Sequence, residues 1–86
     1  MATEEQVQTF KYKMRELMSA YNDVHRHWPE NVFEPEFQER YARLLREETE
    51  GEKLYQEIIG KPAPVNFIAE CDEHMLLEPW CRRILQ

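Results

Sequence analysis

From Val7 onward the apolar side chains recur at Val7, Phe10, Met14, Leu17, Tyr21, Val24 and Trp28, in alternating steps of three and four. That spacing puts them on one stripe of an α-helix, the narrow heptad seam that packs lengthwise against a second helix. Thr3 followed by Gln6 is a capping box, in which each side chain satisfies a free amide of the other's turn. Pro29 disfavours the helical conformation at the residue before it. A first helix over about residues 4–28 is the expectation.

The next periodic stretch contains Phe37, Tyr41, Leu44 and Leu45, then Leu54, Tyr55, Ile58 and Ile59, with the charged segment REETEGEK between. Pro35 suits a first helical turn, where its missing amide leaves nothing unpaired, and Asn31 or Glu34 can serve as N-cap. The spacing predicts a second helix over about 35–59, ended by Gly60. Within it, Glu48 and Gly51 fall on the seam positions, so a kink or restart at Gly51 is the alternative to one continuous helix. Pro62 and Pro64 make a stiff extended linker over 60–64. The remaining residues, 65–86, hold Phe67, Ile68, Met75, Leu76, Leu77, Trp80, Ile84 and Leu85, a third helical segment that Pro79 is expected to kink or split.

The fold class that follows is all-α: a single domain with a long antiparallel hairpin of helices 1 and 2 and a kinked third helix. With 86 residues its core is thin, because a short chain buries a smaller share of its surface than a long one. At 42% hydrophobic and 12% aromatic the chain is nevertheless too apolar for a disordered segment.

Charge narrows the function. The formal net charge is −6, a field that repels a phosphate backbone, so direct nucleic-acid binding is not expected. No apolar run approaches the length of a membrane span. MATEEQVQTF has neither the basic start nor the apolar core of a signal peptide, which makes the cytoplasm the expected location, with the nucleus also compatible. Residues 1–29 are neutral overall, 30–60 carry −5 and 61–86 carry −1. The middle helix therefore holds the charge, either as an acidic docking face or as a solvated surface with local pairs such as Glu36 to Arg40 and Glu39 to Arg43.

Chemistry-bearing residues are few. His25 and His27 lie two residues apart, on opposite sides of a helix, and cannot share one ion there. As closing residues of helix 1 they complement the carbonyl end of its dipole. Cys71 and His74 share a helix face, yet no further ligand lies at a structural zinc spacing, so neither a metal nor any other cofactor is expected. Cys71 and Cys81 are about 15 Å apart on a regular helix, beyond disulfide reach. A thiol enzyme built on Cys71 and His74 has no supporting oxyanion or base signature. With two glycines the chain has no phosphate-cradling loop.

The expected function is therefore non-catalytic binding of a protein partner, as a small acidic adaptor, inhibitor or complex subunit. Tyr21, Trp28, Leu77 and Trp80 are the candidate hydrophobic anchors, with Glu47, Glu48, Glu50 and Glu52 as an acidic rim. The rival readings are an acidic mimic of nucleic acid that inhibits a DNA-binding protein, and a small thiol or metal-binding protein using Cys71 and His74. The heptad seam leaves a homodimer open as well, since helix 1 can find its partner in helix 2 or in a second copy of itself.

Overall fold

The computed structural model describes residues 2–64 and 77–86, which form three helices and no strand. Helix α1 (Glu4–Arg26) and helix α2 (Pro35–Ile59) pack along their lengths, and the shorter α3 (Leu77–Ile84) packs on α1. The expected all-α hairpin with a third helix against it is the architecture observed.

Each terminus follows from its local sequence. Thr3 and Gln6 close the capping box, Thr3 N–H donating to Gln6 Oε1 at 2.9 Å and Gln6 N–H to Thr3 Oγ1 at 3.1 Å. At the other end His27 is the C-cap, with its amide donating to the Asp23 carbonyl at 3.2 Å. The helix stops short of Trp28, two residues earlier than the apolar spacing alone gives, because Pro29 holds Trp28 out of the helical region. The connecting turn is held by the Asn31 carboxamide, which accepts from the Phe33 amide at 3.0 Å, while Gln38 Nε2 donates to the Val32 carbonyl at 2.6 Å. Asn31 thus shapes the turn and Glu34 is the N-cap, without a side-chain bond, ahead of Pro35.

Helix α2 runs unbroken through Gly51, which is buried with Phe37, Leu44 and Tyr55 along its inner face. A mid-helix glycine costs about 1 kcal/mol relative to alanine. Packing against α1 overrides that preference. Gly60 ends the helix in the left-handed region, at φ 80°, and its amide donates to the Gln56 carbonyl at 2.8 Å. Of the third helical segment expected over 65–86, only residues 77–86 are described. Residues 65–76 lie outside the described region, and α3 begins at Leu77, so Pro79 occupies its first turn, where a proline removes no helical hydrogen bond.

The core is built on the seam of α1. Val7, Phe10, Met14, Leu17, Ala20 and Val24 are buried there, and Tyr21 is half-buried. Phe10 stands between the other two helices: its ring lies 6.3 Å from Tyr55 of α2, tilted by 56°, and 6.1 Å from Trp80 of α3, stacked at 18°. Trp80, Cys81 and Leu85 are buried with it.

Two stability outcomes follow from this packing. Trp80→Ala should lower the unfolding free energy by about 3–5 kcal/mol, the usual cost of emptying a large aromatic site, as read by urea denaturation. Gly60→Ala should cost about 1 kcal/mol although no atom stands within 4 Å of the added methyl, because the penalty lies in the positive φ alone. An alanine at residue 60 that leaves stability unchanged would contradict the left-handed cap.

Candidate interaction surface

The two helices of the hairpin are joined along one flank by ions. Arg40 Nε lies 3.4 Å from Asp23, Arg43 3.7 Å from Glu16, and Lys13 Nζ 3.0 Å from Glu47, with Glu50 bound to the same ammonium. Partners descend along α1 as they ascend along α2, which is the antiparallel register written in charge. Hydrogen bonding to Glu50 raises the Lys13 pKa above its ordinary value against the desolvation of the ammonium, and that same bond lowers the Glu50 carboxyl. The local pairs expected within α2, Glu36 with Arg40 and Glu39 with Arg43, give way to these: both arginines reach across to α1 instead. Exposed pairs of this kind contribute roughly 0–1 kcal/mol each, so they select the register more than they stabilise it.

A second network fastens α3. Arg82 grips Glu4 with both terminal nitrogens, at 2.8 and 2.6 Å, and meets Glu78 at 2.7 Å, while Lys11 bonds Glu78 at 3.1 Å. The Glu4 carboxyl is lowered to about 2, chiefly by the Arg82 hydrogen bonds and then by Gln8; Glu78 is lowered by Arg82 first and Lys11 second.

Against this frame the sequence-derived anchors separate. Trp80 is 2% exposed and is the centre of α3's attachment, so it is a core residue and not an outward anchor: the indole stacks on Phe10, and no partner reaches it in the closed fold. Leu77 is half-buried beside Lys11, Arg15 and Arg82 in an open depression of 530 Å³ between α1 and α3. Glu47 and Glu50 are occupied by Lys13 and do not form a free rim, whereas Glu48 is half-buried and Glu52 exposed, with no ion pair to either among the described residues. Tyr21 and Trp28 are brought together, through His25.

The closed end of the hairpin carries a continuous chain of rings. Tyr21 lies 4.3 Å from His25, His25 6.2 Å from Trp28, Trp28 5.0 Å from Phe37 in an edge-to-face contact, and Phe37 6.0 Å from Tyr41. The strip crosses from α1 to α2. Only Phe37 is buried in it; Trp28 is 58% exposed and Tyr41 41%, while Phe33 in the connecting turn and Leu45, one helical turn after Tyr41, are 80% and 47% exposed. Aromatic pairs prefer such offset and edge-on arrangements, so the rings hold one another in place while their outer faces stay open.

Phe33, Tyr41 and Leu45 are surface residues that the periodic reading assigned to the core or left unplaced. A signal for them is present in the chain. Phe33 sits between Pro29 and Pro35, in a turn too short to fold back, and Leu45 is one residue, hence about 100°, off the stripe that Leu44 occupies. Tyr12, 65% exposed, lies apart from the strip on α1. His27 caps α1, its Nδ1 3.0 Å from the Asp23 carbonyl oxygen. Among the described residues no three of His, Cys, Asp and Glu are grouped to hold a metal ion, and no helix is long and apolar enough to cross a membrane. Cys71 and His74 lie outside the described residues, and Cys81 is fully buried.

The carboxylates define an acid response. A carboxyl whose folded pKa is lowered stabilises the fold above its ordinary value, and that contribution is lost as pH falls toward the folded pKa. Stability should therefore decline from about pH 4.5 toward about pH 2, the interval between the ordinary carboxyl and Glu4. Glu4→Gln should reduce stability at pH 7 and flatten this decline, as followed by thermal unfolding in low salt. An unchanged slope in the variant would detach Glu4 from the acid response. Comparison of the chain with protein-family models, with curated proteins and with solved structures found no match.

Proposed function

We propose that this chain is a non-catalytic protein-binding module whose contact surface is the aromatic strip at the closed end of the hairpin. The observation that carries the reading is the exposure of Trp28, Phe33, Tyr41 and Leu45 around a ring cluster that the fold itself orders. A small chain has few large apolar side chains to spare, and grouped exposed ones mark sites of association. Tryptophan and tyrosine are the residues that most often dominate binding energy. Because the rings brace one another, little side-chain freedom remains to be lost when a partner covers them.

The acidic-mimic reading has less support. Such an inhibitor uses an open row of carboxylates, and two of the four in the central cluster, Glu47 and Glu50, are bound to Lys13. The thiol reading would have to rest on Cys71, since Cys81 is enclosed.

A photo-crosslinking amino acid at residue 33 tests the proposal in the cells that make the protein, with the same group at residue 12, also exposed but on another part of α1, as the control. A discrete protein adduct is expected from residue 33 and not from residue 12. Trp28→Ala with Leu45→Ser should abolish it while circular dichroism shows the helices intact. An adduct of twice the chain mass identifies the partner as a second copy. Identical adducts from both positions, or none from residue 33, would refute the strip as the binding surface.

A further inference from the structure

The strip does not end at the rings. Along α2, Tyr41, Leu45, Glu48 and Glu52 follow one another at spacings of four, three and four, which places them on one face of the helix. Glu34, the N-cap seven residues before Tyr41, stands at the turn end of the helix. None of Glu34, Glu48 and Glu52 has an ion pair among the described residues, in contrast to Glu47 and Glu50 on the flank joined to α1. Toward Gly60 the face enters an open groove of 480 Å³, with Glu48, Glu52 and Gln56 on one wall and Pro62, Ala63 and Pro64 on the other. Lys53 is the cation on its border.

We infer that this face of α2 receives a basic amphipathic helix of a partner protein. The inference rests on the strip being a protein-binding surface and names what binds there. Glu34 and Glu52 are 18 positions apart, or about 27 Å at the rise of an α-helix, the length of five helical turns. Apolar side chains of the incoming helix pack on Tyr41 and Leu45 and reach Trp28 at the turn, in the helix-in-groove manner. Its lysines or arginines meet Glu34 at one end and Glu48 and Glu52 at the other. Exposed Trp and Tyr faces also attract such cations directly.

Charge selects this occupant over the others. A second copy laid on the same face would set its own Glu34, Glu48 and Glu52 against these, and like charges across an interface act against pairing. A nucleic acid or an anionic membrane surface is repelled for the same reason. A neutral apolar helix would leave the three carboxylates partly desolvated and unpaired, which costs binding energy.

The test is a titration of isotope-labelled protein with a synthetic Leu/Lys helical peptide of about 18 residues, matched in length to the face, followed by amide shifts. A Leu/Glu peptide of the same pattern serves as the counterpart. Shifts are expected to cluster at residues 34–52 on the exposed face of α2 and at the Trp28 indole, with the Leu/Glu peptide inert. Glu34→Lys/Glu48→Lys/Glu52→Lys should weaken the affinity at least tenfold. A second triple, Glu5→Lys/Glu39→Lys/Glu57→Lys, brings the net charge to the same value and should keep most of it. Equal losses in the two triples, or shifts spread over every acidic surface, would reduce the effect to the overall charge and overturn the inference. Should the residue 33 adduct persist in the Glu34, Glu48 and Glu52 variant, the strip remains a binding surface and only the basic helix is refuted.

Discussion

The fold turns on the ring of Phe10. Among the described residues it is the one aromatic side chain in contact with rings of both other helices, Tyr55 on α2 and Trp80 on α3, and it is wholly enclosed. A chain of this size cannot build a layered core, so a single well-placed ring has to join elements that would otherwise form a bare hairpin, and hairpins alone bury little. The charged networks act around this contact. Those on the α1–α2 flank choose the register, and Arg82 with Glu4, Glu78 and Lys11 fixes where α3 lies once Trp80 has docked. Apolar burial supplies most of the stability, and the ion pairs supply direction.

This division of labour explains how the surface arises. The seam of α1 is narrow, and α2 and α3 both use its apolar side chains near Phe10. At the far end, past Val24, the helix ends and no third element among the described residues shares the work. Trp28, Phe37 and Tyr41 are left to pack on one another, and the part of each ring that Phe37 does not cover stays outside. Exposure of the strip thus follows from the absence, among the described residues, of a third element at this end of the hairpin.

Much of the architecture was legible in the chain. The capping box at Thr3, the first-turn Pro35 and the terminal Gly60 are local signals whose geometry depends on neighbours within one turn, and the helices they bound are the ones observed. Continuity through Gly51 was open in the sequence because propensity and packing oppose each other there, and only the presence of α1 decides it. The surface was harder to see. Trp28 and Trp80 have the same apolar character, and nothing local distinguishes the one that stacks on Phe10 from the one that faces outward. The acids in REETEGEK look alike in sequence as well. Glu47 and Glu50 are separated from Glu48 and Glu52 only by which side of α2 turns toward Lys13, a tertiary fact.

The aromatic strip is composite, with Trp28 at the end of one arm and Phe37 and Tyr41 on the other. Neither arm carries the surface alone, and a chain whose arms have separated has no such surface to offer. A ligand held there would recognise the closed hairpin only, and by mass action would stabilise that state by an amount that grows with its concentration relative to its Kd. As the proposed binding surface it would be in this sense a clasp: occupancy would keep the arms shut, and partner and fold would report on each other.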